Sequence, residues 1–285
     1  MQILILSDIH GNLPALEAIL ATPEAAACEA IVSLGDHVNF GPQSREVQLR
    51  LESLHARMLL GNHEERLHHL SDFPGYNWAL LHWTAEQLSG LTADFPVDDR
   101  IGPVWLTHGV PGDPYRLIER ENLAAEMPAV LDALPEGVTH LLSGHNHVSW
   151  QVEHHGRMAF NPCSAGIPEE NVGGVAPFAV MELVGDQVTL TRHQAVYDLA
   201  AVGQAFLTSG AAAVAPEMCR AVYQTMRTGE YQGVLKFVRH VIRTAEGMGL
   251  SFGDQAAWEA ADPIYPWREP LSSADYWKHL EETLP

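Results

Sequence analysis

Lysine is almost missing from this chain: Lys236 and Lys278 stand against fourteen arginines. The 16 basic residues face 36 Asp and Glu, giving a formal net charge of −20 with histidine neutral. A field of that sign repels nucleic-acid backbones and anionic membranes, which argues against a general nucleic-acid binder and against a membrane partner. Cysteine is equally sparse. Cys28, Cys163 and Cys219 are scattered and odd in number, and none forms a CxxC, so a disulfide framework and a thiolate zinc site are both disfavoured. No stretch is apolar for long enough to cross a bilayer. The apolar start Gln2-Ile3-Leu4-Ile5-Leu6 lacks the basic lead and the length of a signal peptide and reads as a strand, with the cytoplasm as the default location.

What is present is histidine: 16 residues, as many as Lys and Arg together. The 285 residues allow one large domain or two smaller ones, and the 46% hydrophobic content suffices for a sizeable core. Short apolar runs alternate with helical patterns. Strands are predicted at 2–7, 30–34, 58–60, 104–107 and 138–143, and helices after Asn12, after Pro42, over 62–90 and over 121–134. This rhythm predicts an α/β sheet covered by helices. From 148 to 196 the pattern becomes four strands joined by short turns, which is antiparallel hairpin material. Beyond Asp198 the chain is Ala-rich and helical, and Val234, Phe237, Val238, Val241 and Ile242 form a one-sided apolar stripe. The division expected is a domain over 1–198 and a helical extension over 199–285, packed on that domain or capping it.

Five polar motifs each follow a predicted strand: Asp8-Ile9-His10, Gly35-Asp36, Gly61-Asn62-His63-Glu64, Thr107-His108-Gly109 and Gly144-His145-Asn146-His147. Ligands of open α/β sheets bind outside the carboxyl ends of the strands, so the five would converge on one site. In Asp8-x-His10 and His145-x-His147 an extended backbone would put both side chains on one face. Two carboxylates, one amide oxygen and four imidazoles, with no thiolate, suit manganese, iron, zinc or nickel, with manganese the ion to add first in vitro. Seven ligands exceed one tetrahedral site and match two ions sharing a bridge, which is the arrangement that clamps a phosphoryl group.

The ordered set DxH, GD, GNH(E/D), H and GHxH resembles the calcineurin-like metallophosphoesterase superfamily, from residue 8 to 147 and through the hairpins to about 196. Asn161-Pro162-Cys163-Ser164-Ala165-Gly166 is similar to the NPGS(V/A)G loop of its compact bacterial branch, with Cys163 in place of a glycine. The resemblance implies a four-layer α-β-β-α sandwich and two divalent metal ions. It assigns Asp8, His10 and His147 to the first ion, Asn62, His108 and His145 to the second, and Asp36 to the bridge. A hydroxide between the ions would attack phosphorus, His63 would protonate the leaving oxygen, and Glu64 would orient a neighbouring histidine.

The Ser/Thr protein phosphatase branch reads GDxVDRG and RGNHE, and this chain carries Phe40 and Leu60 where those motifs have arginine. The HGSPRDP loop of the compact branch also loses its arginine here, and Arg116 is a candidate replacement. His37, beside Asp36, and Phe40 are further candidates for touching substrate. A site without paired arginines lacks bidentate phosphate capture and leans toward phosphodiesters or nucleotide-type substrates. The reading is therefore a metal-dependent hydrolase of a small phosphorylated substrate. Its alternatives are a phosphomonoesterase or protein phosphatase, and a non-catalytic metal-binding scaffold that uses the C-terminal helices. Those helices could equally form a lid or the interface of a homodimer.

Overall fold

The computed structural model describes residues 1–91 and 94–284. Among them ten strands run in chain order: β1 (Gln2–Leu6), β2 (Ala30–Ser33), β3 (Arg57–Met58), β4 (Asp98–Ile101), β5 (Val104–Thr107), β6 (His140–Leu142), β7 (Trp150–His154), β8 (Arg157–Asn161), β9 (Val175–Val184) and β10 (Gln187–Val196). They form two mixed sheets, ordered β10-β9-β1-β2-β3 and β4-β5-β6-β8-β7. Strands β1, β2 and β3 are parallel, as are β5, β6 and β8. The hairpin strands join antiparallel at the edges.

β1 shows why the sheets stack. Ile3 and Ile5 enter the layer between the sheets with Val32, Leu106, Leu142 and Met181, while Leu4 and Leu6 enter the layer beneath the helices. A strand buried on both faces must be apolar at every position, as this one is. The helices before the hairpins are α1 (Leu13–Leu20), α2 (Pro23–Ala26), α3 (Ser44–Ser53), α4 (Asn62–Leu67), α5 (Ala79–Gln87) and α6 (Leu123–Asp132). α1, α3 and α5 cover the first sheet and α6 the second, completing the predicted four-layer sandwich. α1 begins where Asn12 caps it, its side-chain oxygen accepting from Ala15 N, with Pro14 in the first turn.

Two local expectations fail for physical reasons. The helix predicted over 62–90 is broken into α4, two single turns and α5, because Pro74 cannot continue a helix and Gly75 takes φ +101°. β4 went unpredicted because Asp98-Asp99-Arg100 is polar; it is an edge strand held by antiparallel pairing to β5.

The C-terminal helices are α7 (Leu199–Thr208), α8 (Ala211–Val214), α9 (Pro216–Thr228), α10 (Gly233–Met248), α11 (Gln255–Ala261) and α12 (Ser273–Thr283). Phe206, Cys219, Val222, Met226 and Trp277 lie in the same apolar cluster as Leu4, Leu16 and Leu51. The stripe on α10 turns Phe237 and Val241 onto Trp258 and Trp267. No described helix is long and apolar enough to cross a membrane. Because one core joins the extension to the first sheet, urea unfolding should follow a single transition by both circular dichroism and tryptophan fluorescence. Phe206→Ala, at a fully buried position, should lower stability by about 3–5 kcal/mol.

Candidate metal centre

The strand-end motifs meet at one edge of the sandwich, on unusual backbone. Asp8, His10, Asp36, His145 and His147 all take positive φ, between +49° and +74°. Such a conformation costs about 1 kcal/mol or more per residue and persists only where surroundings enforce it. Here they do. Asp8 N and His10 N donate to Gly35 O and Asp36 O, Gly41 N donates to His10 O, and Gly166 N donates to Asp8 O. The shared direction of Asp8 and His10 therefore comes from left-handed turns tied to neighbouring loops, not from the extended backbone that the spacing suggests. Two glycines permit the close approach. A Cβ on Gly61 would strike Asp36, and one on Gly144 would strike Ser7 and come within 2.8 Å of Asp8 Oδ2.

Three of the four imidazoles are anchored by one nitrogen and offer the other to the site. His10 Nδ1 faces Val38 O at 3.2 Å, His108 Nδ1 faces Leu34 O at 2.8 Å and His145 Nε2 faces Tyr115 O at 3.3 Å. A carbonyl opposite a ring nitrogen fixes the N–H there and leaves a lone pair on the inward nitrogen, as in ligand histidines generally. His147 Nε2 points inward too, 3.5 Å from Asp8 Oδ1 and 3.0 Å from His10 Nε2. Three groups of donor atoms result: Asp8, His10 and His147; Asp36, His108 and His145; and His10, Asp36 and His63. Asp36 belongs to two of them, with Oδ2 3.3 Å from His108 Nε2 and 3.8 Å from His10 Nε2.

This donor set fits a cation on its own chemistry. The Asn62 side-chain amide lies 3.0–3.1 Å from Asp36 Oδ2, His108 Nε2 and His145 Nδ1, so its oxygen can join that carboxylate and those imidazoles around one cation. Protonation tells the same story. Burial opposes the charged form of Asp8, yet the His147 hydrogen bond and the His108 charge hold it well below the usual carboxylate range. His108 is buried but raised to about 9 by the Asp36 carboxylate, whereas burial and the His147 charge lower His10 to about 4. Without metal, the cluster collects protons to neutralise its carboxylates.

The flanking residues depart from expectation in places. Glu64, fully buried, accepts three backbone N–H groups, from Asp36 at 2.9 Å, Gly61 at 2.9 Å and Val38 at 3.1 Å. It clamps the Asp36 loop to α4, and the histidine beside it is His37, at 3.3 Å, which is not one of the expected ligands. His37 is itself fully buried against Phe95 and does not face the cavity over the centre, so it is not a substrate contact. Arg116 pairs with Glu126 at 3.2 Å and is not part of that cavity's lining, although it borders a small adjoining pocket with Leu117 and His145. Phe40 does line it, with its ring 4.6 Å from His63. Cys163 adopts φ +87°, a left-handed conformation that favours glycine, and its N–H donates to Asn161 Oδ1.

Sequence reasoning missed two residues. Asn39 Nδ2 lies 2.7 Å from His63 Nδ1. Arg66 lines the cavity and sits between the rings of Phe73, Trp78 and Tyr115, at 5.2–5.9 Å. Its spacing of four from Asn62 on α4 was the available signal, since such residues share a helix face.

A four-layer sandwich presenting a buried histidine–carboxylate cluster at one sheet edge defines a metal-centre protein. Comparison with known proteins narrows this. Residues 1–163 match the calcineurin-like phosphoesterase family. The metallophosphoesterase from Sphaerobacter thermophilus is 26% identical and superposes with a TM-score of 0.66, covering 79% of this chain and 99% of its own. A hypothetical protein from Pyrococcus horikoshii OT3 shares the fold at a TM-score of 0.68 and 20% identity, covering 80% of this chain and 98% of its own. None of the curated proteins matches the chain. The chain belongs to the calcineurin-like phosphoesterase family and is a metallophosphoesterase.

Metal should stabilise this fold, by about 2.7 kcal/mol at a concentration one hundred times Kd. The gain should grow with pH. His108 is raised to about 9, so in metal-free protein its proton contributes stability below the ordinary histidine pKa, and that contribution is lost as pH climbs through about 9. Metal must displace this proton. Scanning calorimetry with and without manganese should therefore show a larger metal-induced rise in Tm at pH 8.5 than at pH 6.

Proposed function

We propose that the chain hydrolyses phosphate esters, phosphodiesters before monoesters, at a centre of two divalent metal ions. The observation that carries this reading is the position of Asp36. Its carboxylate lies in two ligand groups at once, beside His10 on one side and His108 and His145 on the other. Asp8, His10 and His147 would hold one ion, Asn62, His108 and His145 the other, and Asp36 both; manganese is the ion to supply first. When bound, the ions supply a nucleophilic water of lowered pKa and stabilise charge on the phosphoryl oxygens.

The chain's own residues supply the rest. Asn39 occupies Nδ1 of His63 through its amide NH2, which leaves the His63 proton on Nε2. That edge faces the cavity, with Nε2 3.9 Å from Asp36 Oδ2. From Nε2 the ring of His63, kept neutral by burial, donates a hydrogen bond to the departing ester oxygen as charge builds there, and Asn39 fixes the ring for that task. Arg66 is the lone guanidinium or ammonium group along the described cavity lining, which also carries Glu119 and Glu169. One cation against two carboxylates favours the single charge of a diester over the double charge of a monoester.

The test uses bis(p-nitrophenyl) phosphate and p-nitrophenyl phosphate with manganese. The diester should be turned over faster. Asp36→Asn should reduce activity to background, and His63→Ala should lower kcat by about 10²- to 10³-fold while bound metal is retained. Undiminished kcat in His63→Ala would remove the hydrogen-bond role at the leaving oxygen, and faster monoester turnover would remove the diester preference.

A further inference from the structure

The cavity over the centre encloses about 330 Å³, roughly twice the ~150 Å³ of a cavity that takes up benzene. Its floor is the ligand cluster, with Asp36, His63, His145 and His147 all exposed to it. Its walls differ sharply in character from that floor. Leu80 and Leu81 of α5 form one side, and Met218 of α9 with Val234 and Val238 of α10 form the other. Phe252 closes the far end, in a loop pinned where Tyr76 N donates to Gly253 O at 2.8 Å. At the rim two large apolar side chains, Leu117 and Leu235, remain 36% and 41% exposed although both face the cavity. Apolar side chains left open around a catalytic floor are stabilised by a ligand that covers them.

The polar groups of the wall do not offer an alternative. Glu169 is engaged: Oε2 accepts from Gln232 N at 2.8 Å and Oε1 lies 3.9 Å from His147 Nδ1. Glu119 lies at the Gln232 amide. Arg66, the one permanent cation of the described lining, sits at the floor end, on the same helix as Asn62. A chain of further phosphates running outward would meet two carboxylates and no cation.

Resting on the phosphoesterase reading and deepening it, we propose that the substrate carries a single phosphate esterified to an uncharged, largely apolar group of about one or two rings. α10 recognises that group and Leu117 and Leu235 close over it. The C-terminal helices are thus the specificity element of the enzyme. A polyphosphate substrate is excluded by the same wall.

Binding tests this without turnover. Dimethylphosphinate and methyl(1-naphthyl)phosphinate carry the same single negative charge as a diester, and their P–C bonds resist hydrolysis. Titration calorimetry on the manganese-loaded full chain should show the naphthyl compound bound at least about tenfold more tightly. Leu235→Gln and Leu117→Gln, both at exposed positions, should each shrink that ratio to below about threefold and leave dimethylphosphinate affinity within about twofold of wild type. Equal affinities in the wild type, or an unchanged ratio in both variants, would overturn the proposal, as would tighter binding of inorganic tripolyphosphate than of the naphthyl compound. A preserved naphthyl preference in a protein that hydrolyses no ester would support this pocket assignment and fault the hydrolase reading instead.

Discussion

Asp8, Asp36 and four imidazoles turn their acceptor atoms toward a common buried region, where His10 Nε2 and His147 Nε2 stand 3.0 Å apart. At that separation, out of water, either one ring donates an N–H to the other or a cation lies between them. In the metal-free chain protons on His108 and His147 serve, which is why Asp36 and Asp8 raise both imidazoles against the effect of burial. Much else in the fold follows from holding this cluster in place. The five ligand residues on left-handed backbone are locked by hydrogen bonds that cross from loop to loop. Glu64, with three backbone donors around its carboxylate, ties two of those loops together from behind.

The extension is joined to the centre by a short physical path. Glu169 N donates to His147 O at 3.0 Å, and Glu169 Oε2 accepts from Gln232 N, the residue that precedes α10. Gln232 itself takes φ +54°, a conformation held by contacts on both sides. The helix that walls the cavity is therefore anchored to a residue of the metal cluster, and the apolar core shared with β1 fixes its base. A rigid wall positions a substrate more reproducibly than a mobile lid, because less conformational entropy is lost on binding.

The sequence already carried the arrangement of the cluster. Glycine-flanked Asp, Asn and His at five strand ends is a pattern that two parallel sheet segments convert into one edge, and β1, β2, β3, β5 and β6 deliver it. The layered fold was legible from QILIL and its companions, since two-sided burial leaves an apolar run with no alternation. Side-chain direction was not legible. Nothing in the order of residues says that His37 is sealed under the Asp36 loop or that Arg116 turns to Glu126, because tertiary contacts made far along the chain decide both. Arg66 escaped notice for the converse reason: it lies outside every motif, and only the helical register of α4 brings it beside Asn62. The cavity wall was hidden too, as the stripe of α10 divides between core at Phe237 and Val241 and cavity at Val234 and Val238.

The central claim concerns the two ions, and it is tested most directly by anomalous diffraction from crystals grown with manganese. The account predicts two peaks about 3.5–4 Å apart, one beside Asp8, His10 and His147, the other beside Asn62, His108 and His145, with the Asp36 carboxylate between them. A single peak in the cluster, or peaks only at an exposed group such as Asp132 with His154 and His155, would contradict it.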